Sequence, residues 1–273
     1  VSEATVAKIP SDSSHLDQLV LAYDRDAGLR DRLRLSDDWV GRWSSTWQVG
    51  DGEVCWPIRD MSRVPVLSSR PMRGFTWRAK QRHRPGLEVM ASTRRKHGFE
   101  SLEEVRLLVA LDFLRASEVL SQPFRLDFEH AGGRAWHIPD FLAVIGGGMW
   151  LLDVRPMELI KEDDALKFAA SREVAAACGW RYSVVAGWRP HVWSVLDHLS
   201  SRRRPARDLL GMREQLLTTI SRQQRRAMTF SELADATSMP SVGRANIVRL
   251  LWHRELGVDL GSPLRDNSLI WAV

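Results

Sequence analysis

The sequence predicts an α/β protein: a central domain of helix, strands, helix and strand, followed by a smaller unit of helices and short strands. Three observations predict it. The first is a helical period over residues 101–114, where Leu107, Leu108, Leu111 and Leu114 form one apolar stripe. The second is a pair of short apolar runs, residues 141–145 and 149–152, separated by Gly146-Gly147-Gly148; this pattern signals strand, tight turn, strand. The third is an amphipathic stretch over residues 162–178, ended by Gly179 where a helix turns left-handed and followed by a strand-like run at 181–186. Such an alternation packs helices on a sheet and brings a site to the strand ends.

A chain of 273 residues has room for two domains. Its 44% hydrophobic and 27% charged residues belong to a folded globular protein. No run of about 18 apolar residues occurs, and Val1-Ser2-Glu3 lacks the basic-then-apolar layout of a secretory signal. No membrane contact and a cytoplasmic location are therefore expected. Cys55 and Cys178 are too few for a zinc site, and both are expected to be reduced packing residues. The net charge of +5 is mild, but the bases cluster, which admits a polyanionic partner.

Residues 15–47 set Leu16, Leu19, Val20, Leu29 and Leu33 among charges, predicting a mostly helical, amphipathic region. Trp39, Trp43 and Trp47, four apart, would then share a face, expected to be buried rather than to stack bases. Residues 59–97 are the most basic region. Arg82, His83, Arg84, Arg94 and Arg95, interleaved with Phe75 and Trp77, are candidates to follow a DNA backbone; the alternative is a solvated loop wrapping the core. The expected divisions are a helical, basic N-terminal region at 1–95, the central domain at 96–200 and a C-terminal domain at 206–273.

Ser101 is the expected cap of the first strong helix, with Glu104 three residues on as in a capping box. Glu104 also lies on the side of the leucine stripe, and a carboxylate facing apolar groups must be paired or bound to metal. A plain capping role is the alternative. If the two runs around the glycines pair, Asp140 and Asp153 at their edges come to the same end of a small sheet. Two acids held there beside a helix bearing a third can hold a hard divalent cation against a phosphate. Residues 119–128 predict a further strand of that sheet, and His137 either touches a phosphate or caps a loop.

Residues 200–205, with Arg202, Arg203 and Arg204, read as a linker. Helices are expected at 207–221, 229–236 and 242–256, with short strands at 258–260 and 269–271 around a Pro263 turn. Helix, turn, helix and β-ribbon is the winged-helix order. Arg244, Arg249, His253 and Arg254 would lie on or near its second helix, facing either DNA or a protein partner.

Four motifs together resemble the TnsA-like endonuclease subunits of heteromeric transposases, in the PD-(D/E)XK nuclease class. They are Glu100-Ser101-Leu102-Glu103-Glu104 leading into Leu107-Leu108, Gln122-Pro123-Phe124, His137-Ile138-Pro139-Asp140-Phe141, and Leu152-Asp153-Val154-Arg155-Pro156. The similarity reaches back to Gln81-Arg82-His83 and on to Leu250-Leu251-Trp252, about three quarters of the chain. The resemblance implies a restriction-endonuclease-like core with a mixed central sheet flanked by helices. It implies that Glu104, Asp140 and Asp153 are the metal-binding catalytic acids, with Glu103 the competing choice for the first, and that one or two Mg²⁺ ions are bound, Mn²⁺ substituting. The implied activity is cleavage of one DNA strand at a mobile-element end. The implied partners are double-stranded DNA, a DDE-type transposase subunit and an ATP-dependent regulator. One position departs from the pattern: Arg155 stands where the family has lysine. Arginine stays protonated, so it can supply charge to the phosphate but cannot act as a base; Lys161 or Lys167 on the next helix is the expected substitute amine. Two other readings stay open, a stand-alone restriction or phage-defence nuclease and a non-catalytic DNA-binding assembly subunit.

Overall fold

The computed structural model describes residues 8–25, 27–75, 85–224 and 226–273. Those residues form an α/β protein with mixed and antiparallel sheets, divided into two compact units, residues 21–187 and residues 8–20 with Trp188–Val273.

The N-terminal region is not the helical segment that its spacing predicts. It holds single helical turns, α1 (Leu16–Leu19) and α2 (Trp39–Arg42), strand β1 (Val20–Ala22), and a hairpin of β2 (Ser44–Val49) and β3 (Gly52–Pro57). The reason is local. Residues 44–49 include Thr46, Trp47 and Val49, which favour strands, and Gly50 (φ 58°) with Asp51 closes a two-residue turn. Trp43 and Trp47 are fully buried, as expected, but through helix end and strand rather than one helix face. Trp43 packs on Phe128 and Trp47 on Phe124. Cys55 is exposed on β3, against expectation, while Cys178 is half-buried and burial pushes its thiol up to about 11.

β4 (Ser69–Arg70) joins β2, and β5 (Gly86–Met90) pairs with β6 (Arg95–Phe99) as a separate hairpin. Asp112 on helix α3 (Leu102–Phe113) accepts the Ala91 and Ser92 amides at 3.0 and 2.7 Å and fastens that hairpin's turn. The expected single strand over 119–128 is two, β7 (Glu118–Ser121) and β8 (Arg125–His130), in different sheets. Gln122 at φ 45° and Pro123 break the run. β8 lies between β2 and β9 (Gly133–His137).

β10 (Phe141–Ile145) and β11 (Gly148–Val154) form the hairpin that the glycines predict, closed by Gly146 and Gly147 at φ 57° and 80°, the left-handed pair that a tight hairpin turn requires. Helix α4 (Glu162–Ala177) then returns the chain to β12 (Arg181–Trp188), parallel to β11. The sheet order is β1-β12-β11-β10-β7. Leu142 and Leu151 of this sheet and Leu166, Ala170 and Val174 of α4 share one core with Trp43, Trp47, Phe124 and Phe128. The central unit therefore begins near residue 21, not 96: strands of the supposed N-terminal region complete its second sheet.

The other unit contains α5 (Val192–Ser200), α6 (Met212–Ser221), β13 (Ala227–Thr229), α7 (Phe230–Asp235), α8 (Pro240–Trp252), β14 (Leu256–Gly257) and β15 (Leu269–Ala272). Its strands form one sheet in the order β13-β15-β14. The strand expected at 258–260 is instead extended chain: Ser11 donates to the Val258 carbonyl, and Leu260 to that of Ile9. α5 belongs here rather than to the central domain. No helix of the described residues is long and apolar enough to cross a membrane.

Candidate active site

The hairpin register decides the site. Phe141 faces Leu152 and Ile145 faces Gly148, so the next pair outward sets Asp140 opposite Asp153. β7 flanks the other side of β10, with Ser121 facing Phe141 and the Gln122 amide donating to the Asp140 carbonyl at 2.7 Å. Gln122, Asp140 and Asp153 thus stand in one row across three strands.

Asp153 is buried, and both its oxygens are held: His137 Nε2 lies 2.7 Å from Oδ1, and the Tyr182 hydroxyl donates to Oδ2 at 2.7 Å. Asp140 Oδ2 accepts the Val154 amide at 2.7 Å. Burial, then the charges of Glu104 and Asp153, hold the Asp140 carboxyl well above the ordinary carboxylate range, against the pull of that amide.

Glu104 stands one turn into α3. Ser101 caps the helix by accepting the Glu104 amide at 3.2 Å, while its hydroxyl donates to Glu104 Oε1 and the Glu100 amide donates to Oε2, both at 2.8 Å. The capping role is real, and it coexists with proximity to Asp140. Burial raises the Glu104 carboxyl more than these bonds lower it; Glu100 raises it further and Arg73 draws it down. Glu103 is half-buried and pairs with Arg106. The charges of Glu104, Asp153 and Glu100 therefore all bear on Asp140. Arg73 comes from the basic segment, whose Met72 amide donates to the Gln122 carbonyl at 3.0 Å.

Donor chemistry fits a hard divalent cation, since clustered carboxylates repel one another until one neutralises them. Among the described residues, no group of three or more His, Cys, Asp or Glu side chains is placed to hold a metal ion; Asp153 and Glu104 are engaged by the hydrogen bonds above. Gln122 is buried, and its Oε1 has no hydrogen-bond partner among the described residues, an acceptor left unsatisfied.

The remaining expected residues distribute unevenly. Arg155 does not face the acids: its Nε donates to the Leu159 carbonyl at 3.3 Å and its guanidinium lies 3.6 Å from Asp164, because the acidic first turn of α4 attracts it. Lys161 is exposed at the start of α4. His137, a candidate DNA contact, is spent on Asp153 and stacks edge-on against Phe168. Arg94 is exposed at the β5–β6 turn, and Arg95 pairs with Glu118. The adjacent His97 is buried and pushed down to about 4, chiefly by burial and then by Arg95, so it adds no positive charge to that basic run at neutral pH. Phe75 packs on β6: a Cβ on Gly98 would come 2.0 Å from its ring. Arg244 pairs with Asp266 and lies over Phe230. Arg82, His83 and Arg84 lie outside the described residues. Sequence reasoning missed Tyr182 and Glu100 as neighbours of the acids. The first has no signal in the sequence; the second is the acid that opens the helix motif.

No family model matches the chain, and no curated protein does.

Proposed function

We propose that the protein is a metal-dependent DNA endonuclease of the TnsA-like kind, cutting one strand at a mobile-element end. The observation that carries this reading is the register of β10 and β11, which sets Asp140 opposite Asp153 while Glu104 is near enough to disfavour the Asp140 charge. Asp140, Asp153 and Glu104 would hold one or two Mg²⁺ ions, which when bound lower the pKa of an attacking water and neutralise the scissile phosphate. His137 and Tyr182 fix the rotamer of Asp153, as partners of a ligating carboxylate do. Gln122 offers its unmatched carbonyl to a water or hydroxyl beside Asp140. The mixed sheet with α3 and α4 agrees with a PD-(D/E)XK core, and α7, α8 and the three short strands agree with a winged helix. The expected partners are double-stranded DNA, a DDE-type transposase subunit and an ATP-dependent regulator.

A second reading, a non-catalytic DNA-binding assembly subunit, is favoured by Arg155, which cannot act as a base and whose engagement with Leu159 and Asp164 takes its positive charge away from the acids. The test is titration of the full chain with Mg²⁺ and Mn²⁺ by calorimetry, followed by plasmid cleavage. Under the nuclease reading the wild-type protein binds metal and nicks DNA, and Asp140→Ala loses both. Metal binding without nicking, alone and with the transposase partner added, selects the second reading; metal binding unchanged in Asp140→Ala overturns the site.

A further inference from the structure

The charge of the chain is not evenly shared. Residues 1–187 contain 26 basic and 26 acidic side chains, whereas residues 188–273 contain 13 arginines against 8 acids. The whole excess of +5 therefore resides in the C-terminal segment.

Within that segment the excess is concentrated on one surface. α5 ends in a turn in which the Arg202 and Arg203 amides donate to the Leu199 and Ser200 carbonyls. This turn, through Arg204 and Pro205, forms one wall of a hollow of about 500 Å³, and Arg249 of α8 forms the other. No acid among the described residues lines this hollow. A second hollow of about 390 Å³ adjoins it, sharing Ser201 and Arg202 and continuing to Arg244 and Arg265. Its one acid, Asp266, is already paired with Arg244. Arg249 donates from one terminal nitrogen to Asn246 at 2.9 Å, and its buried Nε has no acceptor among the described residues.

A solvated turn at a helix end would explain Arg202, Arg203 and Arg204 alone, since cations there complement the helix dipole. It does not explain a concave surface with arginines on both walls and a donor without an acceptor. We infer that the two adjoining hollows are a phosphate-binding track for the backbone of duplex DNA, held by Arg202, Arg203, Arg204 and Arg249 and extended by Arg265. Guanidinium forks match phosphate oxygens two at a time. The first hollow is lined by Arg, Ser, Pro and Ala and offers none of the large apolar anchors on which protein interfaces depend. Such contacts position DNA without reading sequence. The choice of duplex DNA rests on the nuclease reading; the anion chemistry of the surface stands without it.

The test uses the full chain, a fluorescent duplex of about 20 base pairs and EDTA, so that cleavage and metal binding play no part, with anisotropy followed between about 50 and 200 mM salt. The variant R202Q/R203Q/R204Q is expected to bind at least tenfold more weakly and to flatten the dependence of log K on log salt by about 2 to 3, since each lost phosphate contact removes about 0.9. R202K/R203K/R204K is expected to restore most of the slope, because the charge is kept. Both variants retain the wild-type response to Mg²⁺, which separates failure here from failure of the acid site. The inference is overturned by unchanged affinity and slope in the glutamine variant. It is also overturned by equal losses in the glutamine and lysine variants, which would make the arginines structural, or by a polyglutamate probe that outcompetes the duplex for this surface.

Discussion

At Asp140, burial and three neighbouring carboxylates all disfavour the charge that the proposed chemistry needs. Below the ordinary value of 3.8 the folded and unfolded chains are both protonated there, and no cost arises. As pH rises past 3.8 the unfolded chain ionises first, so stability falls until the folded group also ionises. Asp140→Asn is therefore expected to stabilise the protein at neutral pH by about 0.5–2 kcal/mol, the usual gain from relaxing a strained functional site, and to lose that gain below pH 3.8. Urea denaturation at the two pH values checks it, and a variant less stable than wild type at neutral pH would remove the claim of repulsion. Mg²⁺ should raise the melting temperature of wild type by mass action but not that of the variant. The acid pair was legible in the sequence because glycines fix a hairpin register, and register fixes which residues face each other. Tyr182 was not: its bond to Asp153 depends on the parallel pairing of β11 with β12, made through a helix 16 residues long.

At the scale of elements, α3 does two tasks that its leucine stripe does not announce. Its first turn presents Glu104 to Asp140, and its last turn binds the β5–β6 hairpin through Asp112. Asp112→Ala leaves two part-buried backbone amides without their acceptor, and is expected to cost about 2–6 kcal/mol at about 1–3 for each unsatisfied group. Chemical denaturation measures the loss, and hydrogen exchange at Ala91 and Ser92 should accelerate before that at Leu107 and Leu108. Equal acceleration at both places would mean that the hairpin is not a separate element hanging from α3. Capping residues and turn glycines were readable because they act on their own chain neighbours. The 44–49 segment was misread because tryptophans four apart satisfy a helix period, while strand propensity and the Gly50 turn act more weakly in a pattern search than in the fold.

For the whole molecule, the first residues and the last belong together. Ile9 donates to Asp259 at 2.9 Å, Ser11 to the Val258 carbonyl at 2.9 Å, and the Trp271 indole to Asp12 at 3.0 Å, while Arg254 reaches the Asp12 and Ser14 carbonyls. Removing residues 1–14 is expected to destabilise the C-terminal unit by more than about 3 kcal/mol, at about 1 kcal/mol for each hydrogen bond lost, besides the burial of Ile9. Exchange protection on α6 and α8 should fall while that on α3 and α4 holds; the reverse pattern would contradict the division into units. The sequence by itself determined the α/β class, the capped helix bearing Glu104 and the hairpin joining Asp140 to Asp153, because caps, turns and register are set by residues near one another in the chain. Only the tertiary structure decided that Arg155 turns toward α4, that His137 and Tyr182 hold Asp153, and that residues 8–20 close the C-terminal unit. Those outcomes depend on which distant strands and helices pack together, and that choice is made by burial summed over the whole molecule.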